Sequence, residues 1–324
     1  AMCELLGKDY GEWVEALRPS ILRPDSPLLQ SDEKWRFVAR GESWGALGIH
    51  VTDADLDRFG KVALRVLQER NPQFDLPKEE RYAANIHGKA LEHSSQLRSG
   101  IAETLALLGS RPGGLSSSSL GKAETTALLV FRHLFKDADW ERWASLNSHL
   151  PLIAEAAPDE FLDAVESALE NLETTPFREI FAQEGGGVVG GTTYISGLLW
   201  ALETLAWDPN HLSRVAVILS DLASVDPGGS WTNRPANSLS DIFLPGHFQT
   251  TAPFEKRVAA VKAVIREHPE VGWQLILGLL PSNHGWTSGC HRPVWRAIIP
   301  RDWKEGVSRS EYSAQIIAYT DLAV

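Results

Sequence analysis

Residues 192–226 read TTYISGLLWALETLAWDPNHLSRVAVILSDLASVD, and the fold is decided by this stretch. Ile195, Leu198, Leu199, Leu202, Leu205 and Ala206 recur at the spacing of one helix face, and Glu203 is the only charged residue between Thr192 and Trp207. So little polar surface predicts a helix buried on more than one side. Asp208 and Pro209 stop it and start another, because Asp is a good helix N-cap and Pro fits the first turn. Leu212, Val215, Ala216, Leu219, Leu222 and Ala223 form the second stripe. A join of about three residues forces the two helices into an antiparallel hairpin.

The same pattern extends outward on both sides. Helices are predicted over 3–17 (ending before Pro19), 53–68 behind Thr52, 78–90, 94–108, 123–135, 140–148, 150–156, onward from Pro158, and then over 254–267, 271–280 and 310–322. Leu28 and Leu29, a polar Ser-Asp-Glu turn, then Trp35, Phe37 and Val38 give the one β signal, a small hairpin near 28–39 that must lean on helices. Gly109 to Ser119, GSRPGGLSSSS, is the most linker-like stretch. It suggests an N-terminal helical subdomain over 1–112 that includes the hairpin, a Gly/Ser-rich loop over 113–122, and a helical-hairpin subdomain over 123–324. Between Asp226 and Phe254 the chain loses its periodicity, and that length suggests a functional or supporting loop.

Pro158, Pro209 and Pro269 each follow an apolar helix and a polar residue and precede a new apolar run. Their separations of 51 and 60 residues are too uneven for a tetratricopeptide array of period about 34. They fit degenerate helical pairs. The expected fold class is therefore predominantly all-α, built of irregular α-hairpin repeats in a solenoid-like arrangement, with one small β-hairpin.

Hydrophobic residues at 43% and charged residues at 23% describe a folded globular chain. A net charge of -11 argues against a nucleic-acid surface, which needs a concentrated basic field. No apolar run is long enough to cross a membrane, and the opening AMCELLGKDYGE lacks the basic and apolar regions of a secretion signal, so the expected location is cytoplasmic. Cys3 and Cys290 are the only cysteines, too few for a disulfide framework.

Several strings resemble catalytic signatures, and each lacks its context. Gly41-Glu42-Ser43-Trp44-Gly45 fits G-x-S-x-G, but no succession of βα units follows to build the sheet beneath a nucleophile elbow. Ser119-Leu120-Gly121-Lys122 fits S-x-x-K inside a serine run without its partner motifs. Gly114 to Lys122 has the wrong glycine spacing for a phosphate loop, and Ala123 stands where Ser or Thr would hold magnesium. The glycines of 185–191 come with no lysine and read as a hinge or loop. His284, Cys290 and His291 match no zinc module. Asp53 and Asp55, like Glu79 and Glu80, lie in first helical turns where the macrodipole accounts for them. No cofactor and no metal are expected.

Four segments carry a family resemblance: PLLQSDEKWRFVARGESWGAL (27–47), TDADLDRFGKVALRVLQE (52–69), LPKEERYAANIHGKALEHSSQLRSGIAETLALLG (76–109), and LLWALETLAWDPNHLSRVAVILSDLASVDPGGSWTNRPANSLSDIFLPGHFQTTAPFEKR (198–257). In their order they resemble a helical region of large bacterial signal-transducing NTPases of the STAND type, including the antiviral class that senses phage proteins. The resemblance implies a sensor or scaffold region, with the NTPase and any effector domain outside this chain; no catalytic residue carries over.

The expected function is therefore non-catalytic: binding a protein partner, or other domains of the same polypeptide, with no nucleic acid and no membrane. Exposed aromatic and arginine side chains on loops are the natural anchors. The candidates are Trp231, Asn233 and Arg234 in the long loop, and Trp286, His291, Arg292 and Trp295 in the late one. The alternative is an enzyme, a hydrolase whose site is assembled from distant helices and could use Ser43.

Overall fold

The computed structural model describes residues 1–31, 34–185, 192–281, 289–304 and 306–324. Predominantly α-helical, it carries a single two-stranded antiparallel sheet among the described residues. In chain order the first elements are α1 (Met2–Leu6), α2 (Tyr10–Ile21), β1 (Leu28–Ser31), β2 (Lys34–Phe37), α3 (Arg40–Leu47), α4 (Asp53–Leu67), α5 (Ser95–Ser110), α6 (Lys122–Phe135), α7 (Trp140–Ser145) and α8 (Leu150–Ala156). Then come α9 (Pro158–Leu169), α10 (Pro176–Ala182), α11 (Ser196–Ala206), α12 (Leu212–Val225), α13 (Pro235–Phe243), α14 (Phe254–Glu267), α15 (Pro269–Leu279) and α16 (Arg309–Leu322).

The opening hairpin is α11 and α12, and every residue of α11 except Trp200 is buried. Its N-terminus abuts the turn before α8 so closely that a Cβ on Gly197 would lie 1.6 Å from the Asn147 carbonyl oxygen. Asn147 Oδ1 accepts the Gly197 N–H at 2.7 Å, satisfying one of the donors that a helix start leaves open. Gly109 plays the matching part between α5 and α8, where a Cβ would stand 1.8 Å from the Ala156 carbonyl oxygen. α11 packs against α8, α12 against α14, α5 against α8 and α4 against α6. One core runs from Leu56 on α4 to Tyr319 on α16, so the helices before and after 113–122 share it. Among the described residues no helix is long and apolar enough to cross a membrane.

Local signals explain most boundaries. Thr52 and Asp55 form a reciprocal capping box at the start of α4. Pro158 and Pro269 occupy the first turns of α9 and α15, whereas Pro209 sits in the corner before α12. Four expectations are corrected. The first predicted helix is two, split at Gly7 with φ 66° and restarted by Asp9, whose carboxylate accepts from Gly11 and Glu12. The second of these runs through Pro19 to Ile21. The helix predicted over 78–90 is only a 3-10 turn, Lys78–Ala83, which ends in turns through Gly88 at φ 67°. And the non-periodic stretch after Asp226 holds α13, too short for its periodicity to stand out.

Buried arginines tie elements together through carbonyls. Arg98 on α5 donates to Val66 O at 2.7 Å and Ser145 O at 3.1 Å, closing the ends of α4 and α7. Arg257 on α14 lies 3.6 Å from the Phe248 ring centroid and donates to Ala252 O at 2.7 Å and Glu311 Oε1 at 2.9 Å, docking α16.

Candidate functional site

The corner between α14 and α15 is fixed by His268, whose Nε2 meets Asp221 Oδ1 of α12 at 2.5 Å. Burial pushes the Asp221 carboxyl above its usual range, against the opposing pull of His268. Turning the chain here leaves an open groove of about 850 Å³ between the C-terminal end of α12, one face of α13 and the first turns of α15. Leu239 and Leu275 are buried at its base. Asn237 and Gln274 bring amides to its walls, the Asn237 amide N–H donating to Thr232 O at 2.6 Å, and Trp273 lines it with 47% of its surface exposed. Leu277, one turn along α15, is also exposed. Glu267 and Glu270 lie at the rim; Glu267 is paired with Arg266 at 2.8 Å.

Such a lining can hold an apolar side chain against indole, hydrogen-bond a peptide backbone and attract a cation. Ser224 and Ser240 line the groove, but each hydroxyl donates to its own helix, to Asp221 O and Ala236 O. Ser43 borders a different cleft, and no histidine is among the residues lining that one.

The loop residues singled out by sequence fall elsewhere. Residues 289–298 cross back over α11, α8 and α5 as a strap. Glu155 of α8, 1% exposed, accepts three consecutive backbone N–H groups: Val294 at 2.9 Å, Trp295 at 2.7 Å and Arg296 at 2.8 Å. Glu203, the lone charge of α11, accepts His291 N–H at 2.8 Å and the Ser238 hydroxyl at 2.6 Å. Burial raises the Glu203 pKa even against those two donors. Arg296 donates back to Glu155 O and Gly109 O, and the Trp207 indole donates to His291 O at 3.0 Å. A stack of repeats touches only its neighbours; Trp295 packing on Ala106 and Leu107 departs from that pattern.

His291 is half-buried, stacked on Trp200 and 3.2 Å from the Thr204 hydroxyl, and burial pushes its pKa down. Arg292 is exposed and lies over the rings of Trp207 and Trp303 at 5.2 and 5.4 Å. Two of the expected anchors are corrected. Trp295 is buried beneath the Arg111 guanidinium. Arg234 is also buried, paired with Glu184 at 2.5 Å and Asp226 at 2.9 Å over the Phe181 ring. A loop arginine facing two carboxylates spends its charge on the fold, and one of them lies 50 positions away, beyond any local pattern. Trp231 and Asn233 are half-buried in the same loop. Trp286 and His284 lie outside the described residues, as do residues 186–191 of the glycine run. The Cys290 thiol is buried, and desolvation raises its pKa well above the ordinary value, which makes it a poor nucleophile.

Sequence reasoning missed Trp273 and the two strap-holding carboxylates. The carboxylates had a signal: each is a single charge inside an otherwise apolar helix, in LLWALETLA and LPLIAEA. Trp273 had none, because GWQLILGL is apolar but for Gln274 and does not say which side is open. No protein-family model, curated protein or solved structure matches the chain.

Proposed function

We propose that this chain is a helical recognition region that captures an extended or helical segment of a protein partner in the groove between α12, α13 and α15. The supporting observation is that the half-exposed Trp273 lines an open groove of about 850 Å³ together with the side-chain amides of Asn237 and Gln274. A large aromatic left exposed beside convergent hydrogen-bonding groups is the composition of an interface anchor rather than of a sealed core. The partner segment is apolar with a basic residue, since Glu270 sits at the rim of a chain with net charge -11. In the setting that the resemblance to STAND-type NTPases implies, the chain is a cytoplasmic sensor or scaffold region, and the partner is a foreign protein or another domain of the same polypeptide.

Selection of a displayed random-peptide library on the immobilised chain tests this. The expected result is enrichment of peptides combining Lys or Arg with aliphatic or aromatic residues, with capture lost in Trp273→Ala and weakened in Glu270→Lys. Enrichment that survives both substitutions, in protein that remains folded, removes the groove from consideration.

A further inference from the structure

The N-terminal hairpin offers a second, separate surface. β1 and β2 pair as Leu28 with Phe37, Leu29 with Arg36 and Gln30 with Trp35, and Val38 N–H donates to Pro27 O at 2.9 Å. Hydrogen-bonded and non-hydrogen-bonded pairs alternate along an antiparallel ladder. With Val38 bonded inward, Arg36 is bonded inward too, while Trp35 and Phe37 turn their backbone N–H and C=O groups away from β1. No described residue bonds those outward groups.

That edge opens onto a cleft. Trp35, Arg36 and Phe37 all line a cavity of about 680 Å³. Side chains alternate between the faces of a strand, so three consecutive residues share one cavity only when it lies along the strand's edge. α5 also lines it, with Ser99 and Gly100 among the larger Gln96, Glu103 and Leu107; a Cβ added at Gly100 would meet nothing within 4 Å. An unpaired strand edge beside a cavity of this volume has space for another strand. Charge selects the guest. Arg40 is paired with Glu103, whereas the exposed Arg36 makes no ion pair with a described residue.

We propose that β2 captures an extended peptide by β-strand addition, the guest forming a third strand between β2 and α5. Its sequence alternates: apolar residues beside Trp35 and Phe37, and an acidic residue beside Arg36. Main-chain hydrogen bonds supply the affinity and the alternation supplies the choice. The preference is opposite in charge to that of the α12–α13–α15 groove, and the two sites use no residue in common, so either reading can fail alone.

The test uses the whole chain and a fluorescein-labelled synthetic peptide, Val-Glu-Val-Glu-Val, followed by fluorescence anisotropy. Saturable binding is expected. N-methylation of one set of alternate peptide amides should weaken it by about tenfold or more, and methylation of the other set should leave it nearly unchanged, because only one edge of the guest faces β2. Arg36→Glu should weaken binding several-fold, and the matching Val-Lys-Val-Lys-Val peptide should recover it. The proposal is overturned by any of three results: no saturation, equal binding by both methylated series, or a chain that instead pairs with itself through this edge, seen as a dimer that Phe37→Pro dissociates.

Discussion

Removal of the Glu155 carboxylate should release the strap from the helices beneath it. Glu155→Ala deletes the acceptor of three consecutive backbone N–H groups, at Val294, Trp295 and Arg296, in a site where the carboxylate is 1% exposed. Each buried donor left without a partner costs about 1–3 kcal/mol. Truncation also opens space for water, which satisfies part of the loss, so the expected cost is near the lower sum, about 3 kcal/mol. Glu155→Gln should cost less, about 1–2 kcal/mol, since one oxygen can still serve the Trp295 and Arg296 donors while the new amide opposes Val294 N–H. Hydrogen exchange read by mass spectrometry over the strap, with urea denaturation alongside, separates two outcomes. If the strap detaches alone, its amides exchange about 100-fold faster while the helical core keeps its protection. If the strap is integral to the core, the urea midpoint falls as well. Strap amides that exchange at the wild-type rate in Glu155→Ala would refute the view that this carboxylate holds the segment.

Glu203 should behave differently from Glu155. Glu203→Gln can keep one oxygen on His291 N–H and donate its amide to the Ser238 hydroxyl, so it should cost less than about 1 kcal/mol, while Glu203→Ala should cost about 2 kcal/mol or more by urea denaturation. Gly197→Ala should be among the most destabilising single-methyl additions, about 3 kcal/mol, because its Cβ meets backbone at 1.6 Å; a loss of unfolding free energy below about 1 kcal/mol would contradict the close approach. His149 is buried, and desolvation with Arg98 nearby pushes its pKa down to about 4. The unfolded chain binds that proton near pH 6.5, so the stability from a neutral His149 is fully present above pH 6.5 and is lost as pH falls through about 4. The shift corresponds to about 3 kcal/mol, and His149→Gln should flatten the pH dependence of unfolding between pH 6.5 and 4. Trp273→Ala should lower the unfolding free energy by about 2–3 kcal/mol, as suits a half-exposed side chain, leaving the chain folded while removing peptide capture.

The helical character of the chain, the buried nature of α11, the capped start of α4 and the place of the small hairpin were all legible in the sequence. They follow from the period of apolar residues, the chemistry of Thr52 and Asp55, and the prolines that open α9 and α15, all of which act within a few positions of one another. Which polar groups face which was decided only by tertiary structure. Arg234 meets Glu184, Glu155 meets the 294–296 amides and Trp295 meets Leu107 across separations of 50 to about 190 residues. Burial reverses the apparent role of such residues, because a charge or an indole removed from water must be satisfied by the fold before it can serve a partner. The open groove beside Trp273 and the free edge of β2 are likewise products of packing. They arise where neighbouring elements stop short of covering one another, and no periodicity in a single chain records that.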